Sequence, residues 1–387
     1  MQLLGGLSPR AFLARYWQKQ PLLVRGALPG FRDPLSRAQL FQLACDPGVE
    51  SRLVIERGGA RPWELVAGPQ DPRRLGRLGA RHWTLLVQEA DRHAAELAEL
   101  LERFHFVPRW RVDDVMVSFA APRGGVGPHA DSYDVFLIQG AGRRRWQIQR
   151  RPSAALRPGL ELRILRGFRA DAAWTLEPGD LLYLPPGVAH HGVALTDCFT
   201  YSIGFRAPTA LDLVLGYMPR VANGADRDRF YRDPDLRPQG SRGEIRRGAI
   251  RRLRRMLDAE LQRITGAEFD RFIGELLTEP GGARAQAPGR STTPGALAAQ
   301  LAAGAHLVRS PASRIAFIRR GARDVDLFVD GRRHPLPPAL GFAAPLLADG
   351  GVLPAAALLA RRRRAPLAAL LAELVNAGAL KLVRRTR

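Results

Sequence analysis

The sequence predicts an α+β chain centred on an antiparallel β sandwich or barrel, flanked by helical regions and followed by a smaller helical unit with a hairpin. Three observations carry that prediction. Between residues 112 and 206, the runs DDVMVSFAAP, YDVFLIQGAGRRRWQIQ, AAWTLEPGDLLYLPPGVAHHGVAL and CFTYSIGFRAP are rich in β-branched and aromatic residues. Gly and Pro cut them at the close spacing of antiparallel strands. On both sides of this region apolar residues recur at helical spacing. Finally, the Pro- and Gly-rich interval EPGGARAQAPGRSTTPGA, residues 279–296, reads as a linker to a separate last unit.

Taken in order, SPRAFLARYWQKQPLLVRGAL opens with Ser8 as N-cap and Pro9 at the first helical position, then turns extended at Pro21. From there to about residue 101 the text reads as helical with short extended pieces. The segment TLLVQEADRHAAELAELLERF carries Leu97, Leu100 and Leu101 at helical spacing and ends near Pro108. After the β region, LDLVLGYMPRVA and GEIRRGAIRRLRRMLDAELQRITGAEFDRFIGELL return to helical period. There Ile245, Ile250, Leu253 and Met256 stand against arginine pairs as an amphipathic pattern. Beyond the linker, helical ALAAQLAAGA, strand-like RIAFIRRG and DVDLFVDGRR, and a closing helix and strand suit a winged-helix arrangement.

Composition narrows the function classes. A length of 387 residues leaves room for two or three domains and a large core, and 46% apolar with 25% charged residues is globular, not disordered. No run of eighteen apolar residues occurs and the first residues lack the order of a secretory signal, so a soluble, unexported protein without membrane association is expected. Two cysteines, Cys45 and Cys198, are too few for a disulfide framework or a zinc cluster and suit a reducing, cytoplasmic interior. The net charge of +22 favours a polyanionic neighbourhood. Only Lys19 and Lys381 are lysines, however, and the arginine, alanine, glycine and proline excess is also what GC-rich codons produce.

The chemistry lies in the β region. On a strand, residues i and i+2 project from one face, so His129 and Asp131 can offer an imidazole nitrogen and a carboxylate oxygen to one point. A 2-His-1-carboxylate iron centre needs one more histidine and leaves open positions for a bidentate co-substrate and dioxygen. The stretch PPGVAHHGV supplies His190 or His191 about sixty residues downstream. The other histidines, His82, His93, His105, His306 and His334, have no comparable partner in the sequence.

These residues carry a family resemblance. With YWQKQPLLVRGA, WRVDDVMVSFAAPRGGVGPHADSYDVFLIQGAGRRRWQI, LEPGDLLYLPPGVAHHGVAL, YSIGFRAP and FYRDPDLRP in this order over about residues 10–240, the chain resembles JmjC-type, cupin-like 2-oxoglutarate-dependent oxygenases. Within them it is similar to the bacterial ribosomal oxygenases that hydroxylate an arginine of a large-subunit ribosomal protein. The resemblance implies a double-stranded β-helix (jelly-roll, or cupin) core at about 112–206 inside an oxygenase domain spanning 1–207. It also implies a helical dimerisation region at 208–280 and, beyond the linker at 281–296, a winged-helix-like domain at 297–387.

The resemblance further implies Fe(II) held by His129, Asp131 and His190. The family's ligand sits three residues after the Gly of PPG, so His190 is favoured and alternation turns His191 away. The co-substrate is 2-oxoglutarate, with its far carboxylate gripped by Arg144, the middle of Arg143-Arg144-Arg145, while Arg143 and Arg145 face solvent. Thr200 stands where relatives often carry asparagine, and so at the co-substrate; His191 departs from a position that is often acidic. Asp113 and Asp114 are candidates for clamping a substrate guanidinium, Tyr133 and Met116 for lining its pocket, and Arg206 for a structural role. The implied reaction turns 2-oxoglutarate into succinate and carbon dioxide while a C–H bond becomes an alcohol. Implied partners are a large-subunit ribosomal protein as substrate, a second copy of the chain and nearby ribosomal RNA, for which RRLRRM and the arginines at 361–364 are candidates. Two other readings stay open: the same chemistry on a histidine of a ribosomal protein or on RNA, and a non-catalytic cupin and winged-helix regulator.

Overall fold

The computed structural model describes residues 2–58, 62–225, 227–238, 241, 243–263, 266–280, 291–321, 324–350, 352–353 and 364–383. The chain forms two compact units, the first essentially Met1–Ala207 and the second Pro208–Pro280 together with most of the chain beyond it. Residues 281–290 of the expected linker, and 361–363 of the arginine run, lie outside the described residues.

Among the described residues of the first unit, helices α1 (Pro9–Arg15), α2 (Arg37–Ala44), α3 (Pro72–Gly76) and α4 (Ala95–Glu102) surround twelve strands. They are β1 (Leu22–Val24), β2 (Ser51–Glu56), β3 (Trp63–Ala67), β4 (Trp83–Val87), β5 (Val112–Ala120), β6 (His129–Ala130), β7 (Asp134–Gln139), β8 (Arg144–Gln149), β9 (Ala172–Leu176), β10 (Leu181–Leu184), β11 (Ala189–Ala194) and β12 (Cys198–Phe205). An eight-stranded sheet in the order β1-β10-β7-β12-β5-β4-β2-β3 faces a four-stranded sheet, β6-β11-β8-β9. All pairings are antiparallel. From β5 to β12 the chain passes repeatedly between the two sheets, which makes the core a double-stranded β-helix.

The segment between residues 50 and 87 differs from the helical texture its sequence suggests. There β2, β3 and β4 extend the major sheet beyond β5, and TLLV of the TLLVQEADRHAAELAELLERF segment is strand, the helix beginning only at Ala95. A five-residue buried apolar run satisfies either period, and pairing with β2 and β5 decides it.

The major sheet buries its outer face against α1 and the loops beside it. Ser8 caps α1 through a bond from the Ala11 amide, and Phe12, wholly buried, meets Tyr183 edge-on at 5.0 Å and Phe136 at 5.6 Å. Burying one such ring contributes about 2–3 kcal/mol. Beside this cluster the buried Asp134 accepts from the Tyr183 hydroxyl (2.6 Å) and the Gln18 side-chain amide (2.9 Å), with Arg111 at 3.3 Å. Satisfied in this way, a buried carboxylate is tolerated. It fixes the start of β7, three residues beyond Asp131.

The second unit holds α5 (Ala210–Gly224), α6 (Arg247–Arg263), α7 (Ala267–Thr278), α8 (Pro294–Ala302), α9 (Ala343–Asp349) and α10 (Arg364–Asn376). Two three-stranded sheets join them. One is β14 (Ile315–Arg319), β15 (Val325–Val329) and β16 (Arg332–Leu336); in the other, β13 (His306–Arg309) lies between β17 (Val352–Leu353) and β18 (Leu380–Val383). The strand-like RIAFIRRG and DVDLFVDGRR are β14 and β15. Their partner β16, and β13, were not legible: RRHPL is polar and contains Pro335, and HLVR is four residues long. Leu297, Leu307, Leu327, Leu347 and Leu374, all wholly buried, belong to this unit's own apolar core.

Candidate active site

A cavity of about 610 Å³ opens between the two sheets of the first unit. The sheets set which residues face it. Across β8 and β11, His190 lies opposite Ile148, Gly192 opposite Trp146 and Ala194 opposite Arg144. Directly paired residues share a face, so His190, Arg144 and Trp146 point inward, while His191, Arg145 and Gln147 occupy the other face. His129, paired with His190 across β6, joins the inner set.

The structure brings His129, Asp131 and His190 together, with one ligand atom of each within 4.8 Å of the others. His129 Nε2 is 3.9 Å from one oxygen of Asp131, and His190 Nε2 is 3.6 Å from the other. Each imidazole is turned by its far nitrogen: His129 Nδ1 is 3.0 Å from the Gly127 carbonyl, and His190 Nδ1 is 3.2 Å from that of Val188. A carbonyl only accepts, so both Nδ1 atoms carry a proton and both Nε2 atoms are turned toward the carboxylate. Burial holds the His190 imidazole down at about 4, with neighbouring His129 pushing the same way and Asp131 opposing. It is therefore neutral at physiological pH, the state a ligand requires. Two imidazoles oriented by backbone carbonyls and a carboxylate, all converging on one point, fit a divalent iron.

Two glycines make this geometry possible. Gly127 has φ +77°, and a Cβ there would come within 2.4 Å of Ile164; its carbonyl is the one that orients His129. At Gly192, two residues after His190, a Cβ would strike the Trp146 ring at 2.6 Å.

Beyond the triad sits Arg144, only 5% exposed. Its Nη1 donates to the Thr200 hydroxyl at 3.2 Å, its guanidinium lies 5.4 Å from the Trp146 ring centre, and its Nε has no hydrogen-bond partner. Among the described residues no carboxylate pairs with it. A buried cation without a counter-ion is costly, several kcal/mol by order of magnitude. The cost is met when a carboxylate-bearing ligand enters, and a planar guanidinium binds such a group bidentately. The donor set therefore fits a dicarboxylate whose far end meets Arg144 and whose near end meets the metal.

At the opposite end the cavity is acidic. Asp114 faces it from β5 with Met116 and Ser118, and accepts from the Glu89 amide at 2.8 Å. Burial, reinforced by Asp113, Asp91 and Glu89, raises the Asp114 carboxyl to about 7. Asp113, more exposed, also borders the cavity and lies 3.8 Å from Arg206 Nε; that arginine's carbonyl accepts from Arg111. Tyr133 borders the cavity too, its phenol pushed up by burial and then by Asp131, Asp114 and Asp113. His191 lies outside, edge-on to Phe168 at 6.1 Å; burial first, then His129 and Arg144, lower it.

Several cavity residues escape sequence reading. Trp146 was within reach, since it stands two positions after Arg144 on one strand. Arg52, whose Nε is buried without a partner, and Glu89, in a left-handed turn at φ +51°, come from segments brought in by the β2 and β4 pairings. Ser118 and Ser202 are ordinary strand serines until β5 and β12 pair.

Fold and site together define a JmjC-type oxygenase. A JmjC domain family matches residues 99–213, and a ROXA-like winged-helix family residues 261–381. The ribosomal protein uL16 3-hydroxylase of Escherichia coli (strain K12) is 38% identical over 270 residues, 69% of this chain and 70% of its own. A probable ribosomal oxygenase of Haemophilus influenzae is 36% identical over 233 residues, 59% and 55% of the two chains. The structure of YcfD, a ribosomal oxygenase from Escherichia coli, in complex with cobalt and 2-oxoglutarate superposes with a TM-score of 0.83 at 34% identity, covering 97% of this chain and 98% of that one. The chain belongs to the JmjC ribosomal oxygenase family.

Proposed function

We propose that the chain is an iron(II)- and 2-oxoglutarate-dependent hydroxylase of a large-subunit ribosomal protein, acting on an arginine side chain, with uL16 as the target its Escherichia coli relative indicates. The observation that carries the reading is the buried, acid-free Arg144 beside the His129, Asp131 and His190 cluster. A metal-only protein or a regulator has no use for a desolvated cation at that spot. When bound, iron(II) and 2-oxoglutarate supply the oxidising power that places one oxygen atom of dioxygen in a C–H bond, with succinate and carbon dioxide as co-products.

This chain's residues bind, orient and exclude water. His129, Asp131 and His190 are the metal ligands in this reading, with Gly127 and Val188 carbonyls fixing their tautomers. Arg144 and Thr200 hold the far carboxylate of the co-substrate. Asp114, with Asp113 beside it, receives the substrate guanidinium at the acidic end, and Tyr133 packs along it. A cation docking there favours the ionised form of a carboxyl that otherwise sits near 7, so binding and deprotonation of Asp114 are linked. The same acidity favours arginine over a neutral histidine as target.

In the second unit, α5 leaves Leu211, Val214 and Leu215 exposed and α6 leaves Ile250, Leu253 and Leu257 exposed. These faces suit a homodimer, with 208–280 as the pairing region. Among the described residues no helix is long and apolar enough to cross a membrane. A ribosomal substrate implies the cytoplasm and nearby ribosomal RNA, which the charge of +22 favours. The test is succinate release from 2-oxoglutarate with a uL16 peptide. Turnover that needs iron and adds one oxygen atom to the peptide's arginine supports the reading; turnover without change in the peptide contradicts the substrate.

A further inference from the structure

Residues 143–171, which run through β8 and the connection to β9, contain nine arginines and two acids, Glu161 and Asp171. The other 358 residues hold 50 basic and 35 acidic side chains. Codon bias raises arginine everywhere but does not remove acids from one segment. The ion pairs follow the same division. Elsewhere in the molecule, arginines such as Arg25, Arg92, Arg109, Arg220 and Arg271 pair with carboxylates. Among the described residues none of the nine does so, and all but Arg144 are exposed.

The segment is also a built surface. Its connection folds back as a small hairpin, with Arg157 N donating to Ile164 O and Arg166 N to Ala155 O, both at 2.8 Å. Leu156 and Leu165 bridge the two arms. Leu165 N then donates to the Pro128 carbonyl at 2.8 Å, next to His129, and Ile164 is buried. Arg157 lies over the Trp63 ring at 5.5 Å, and Phe168, flanked by Arg166 and Arg169, meets His191 edge-on. Glu161 and Arg163 of the same hairpin border the cavity. An unneutralised arginine platform with an aromatic among its charges is thus anchored at the residue that precedes His129.

We infer that this platform binds the phosphate backbone of single-stranded RNA beside the mouth of the active-site cavity. Guanidinium groups grip phosphate oxygens bidentately, and an aromatic set between arginines offers a face for a base to stack on. Its biological meaning rests on the ribosomal reading above: RNA held there would bring a protein segment emerging from it to the cavity.

The test uses the full chain and a fluorescein-labelled single-stranded RNA of about twenty nucleotides, titrated by anisotropy over a range of salt. Each phosphate contact on a single strand contributes about 0.7 to the log–log salt slope, so the variant R150Q/R151Q/R166Q/R169Q is expected to lose up to about 3 units of slope and at least about tenfold in affinity. R10Q/R15Q/R73Q/R77Q, which removes the same charge elsewhere in the first unit, should leave the slope within about 1 unit of wild type. F168A should weaken binding at unchanged slope. Equal losses in the two quadruple variants would overturn the proposal in favour of diffuse charge, and so would equally tight binding of polyglutamate or no RNA binding near physiological salt. Unchanged thermal midpoints show that the variants are folded. Hydroxylation of an isolated uL16 peptide should be the same in all of them. If wild type fails to hydroxylate that peptide while RNA binding behaves as stated, the substrate reading falls and the RNA surface stands.

Discussion

At the Arg144 end of the cavity His190, Arg144 and Thr200 are buried, His129 is half-buried, and all are held by the backbone or by each other: two histidines by carbonyls, the arginine by Thr200. At the Asp114 end one carboxyl sits near 7 among other acids, and Tyr133 and Asp113 are open to solvent. In the proposed reading the first end is preorganised for the co-substrate, which is the same in every turnover. The second carries unspent negative charge that only an incoming cation relieves. In that reading the site separates its constant chemistry from its choice of substrate, and each end is expected to break without the other.

The largest effect is expected at the triad. Asp131→Ala should lower iron-dependent succinate release by at least about a thousandfold, since it removes the one carboxylate of the proposed ligand triad, whereas His191→Ala should keep most of it. Equal iron retention and turnover in the two variants would sink the ligand assignment. Next comes Arg144→Met, which removes a charge-assisted contact worth about 1.5–3 kcal/mol. The KM for 2-oxoglutarate should rise roughly ten- to a hundredfold at unchanged peptide KM, and Thr200→Val should raise it by no more than about fivefold.

At the substrate end Asp114→Asn should raise the KM for a cationic peptide about tenfold and leave that for 2-oxoglutarate alone. The wild-type peptide KM should fall as pH rises through about 7, because Asp114 is then ionised before the guanidinium arrives, and the variant should lose that dependence. A shared rise in both KM values would show that the two ends are not independent. The smallest effect is on stability. The Asp114 pKa is higher in the folded state, so its ionised form opposes folding: the penalty is absent below the ordinary carboxylate range, grows with rising pH and is complete above about 7. Asp114→Asn should therefore raise the thermal midpoint more at pH 8 than at pH 5, which a pair of melting curves decides.

The two ends also differ in how much of them the sequence disclosed. His129 and Asp131 stand two apart, a local relation that the strand period of two expresses; which of the adjacent histidines and which of the three arginines faces inward came from the family resemblance, and alternation then turned their neighbours away. The winged-helix text was readable in part through β14 and β15. Arg52 and Glu89 were not readable, because what makes them cavity residues is the pairing of β2, β4 and β5 across 28 to 36 positions. The β4 run TLLV even read as helix, joined as it is to AELAELLE. Register across long separations belongs to the packed sheet and leaves no local mark.

Hydroxylation of the ribosomal protein is tested most directly by the intact mass of uL16 from cells with and without this gene. A form heavier by one oxygen atom is expected only where the gene is present, with the added oxygen on an arginine. Identical masses in both, from cells whose purified enzyme still releases succinate, would contradict that assignment.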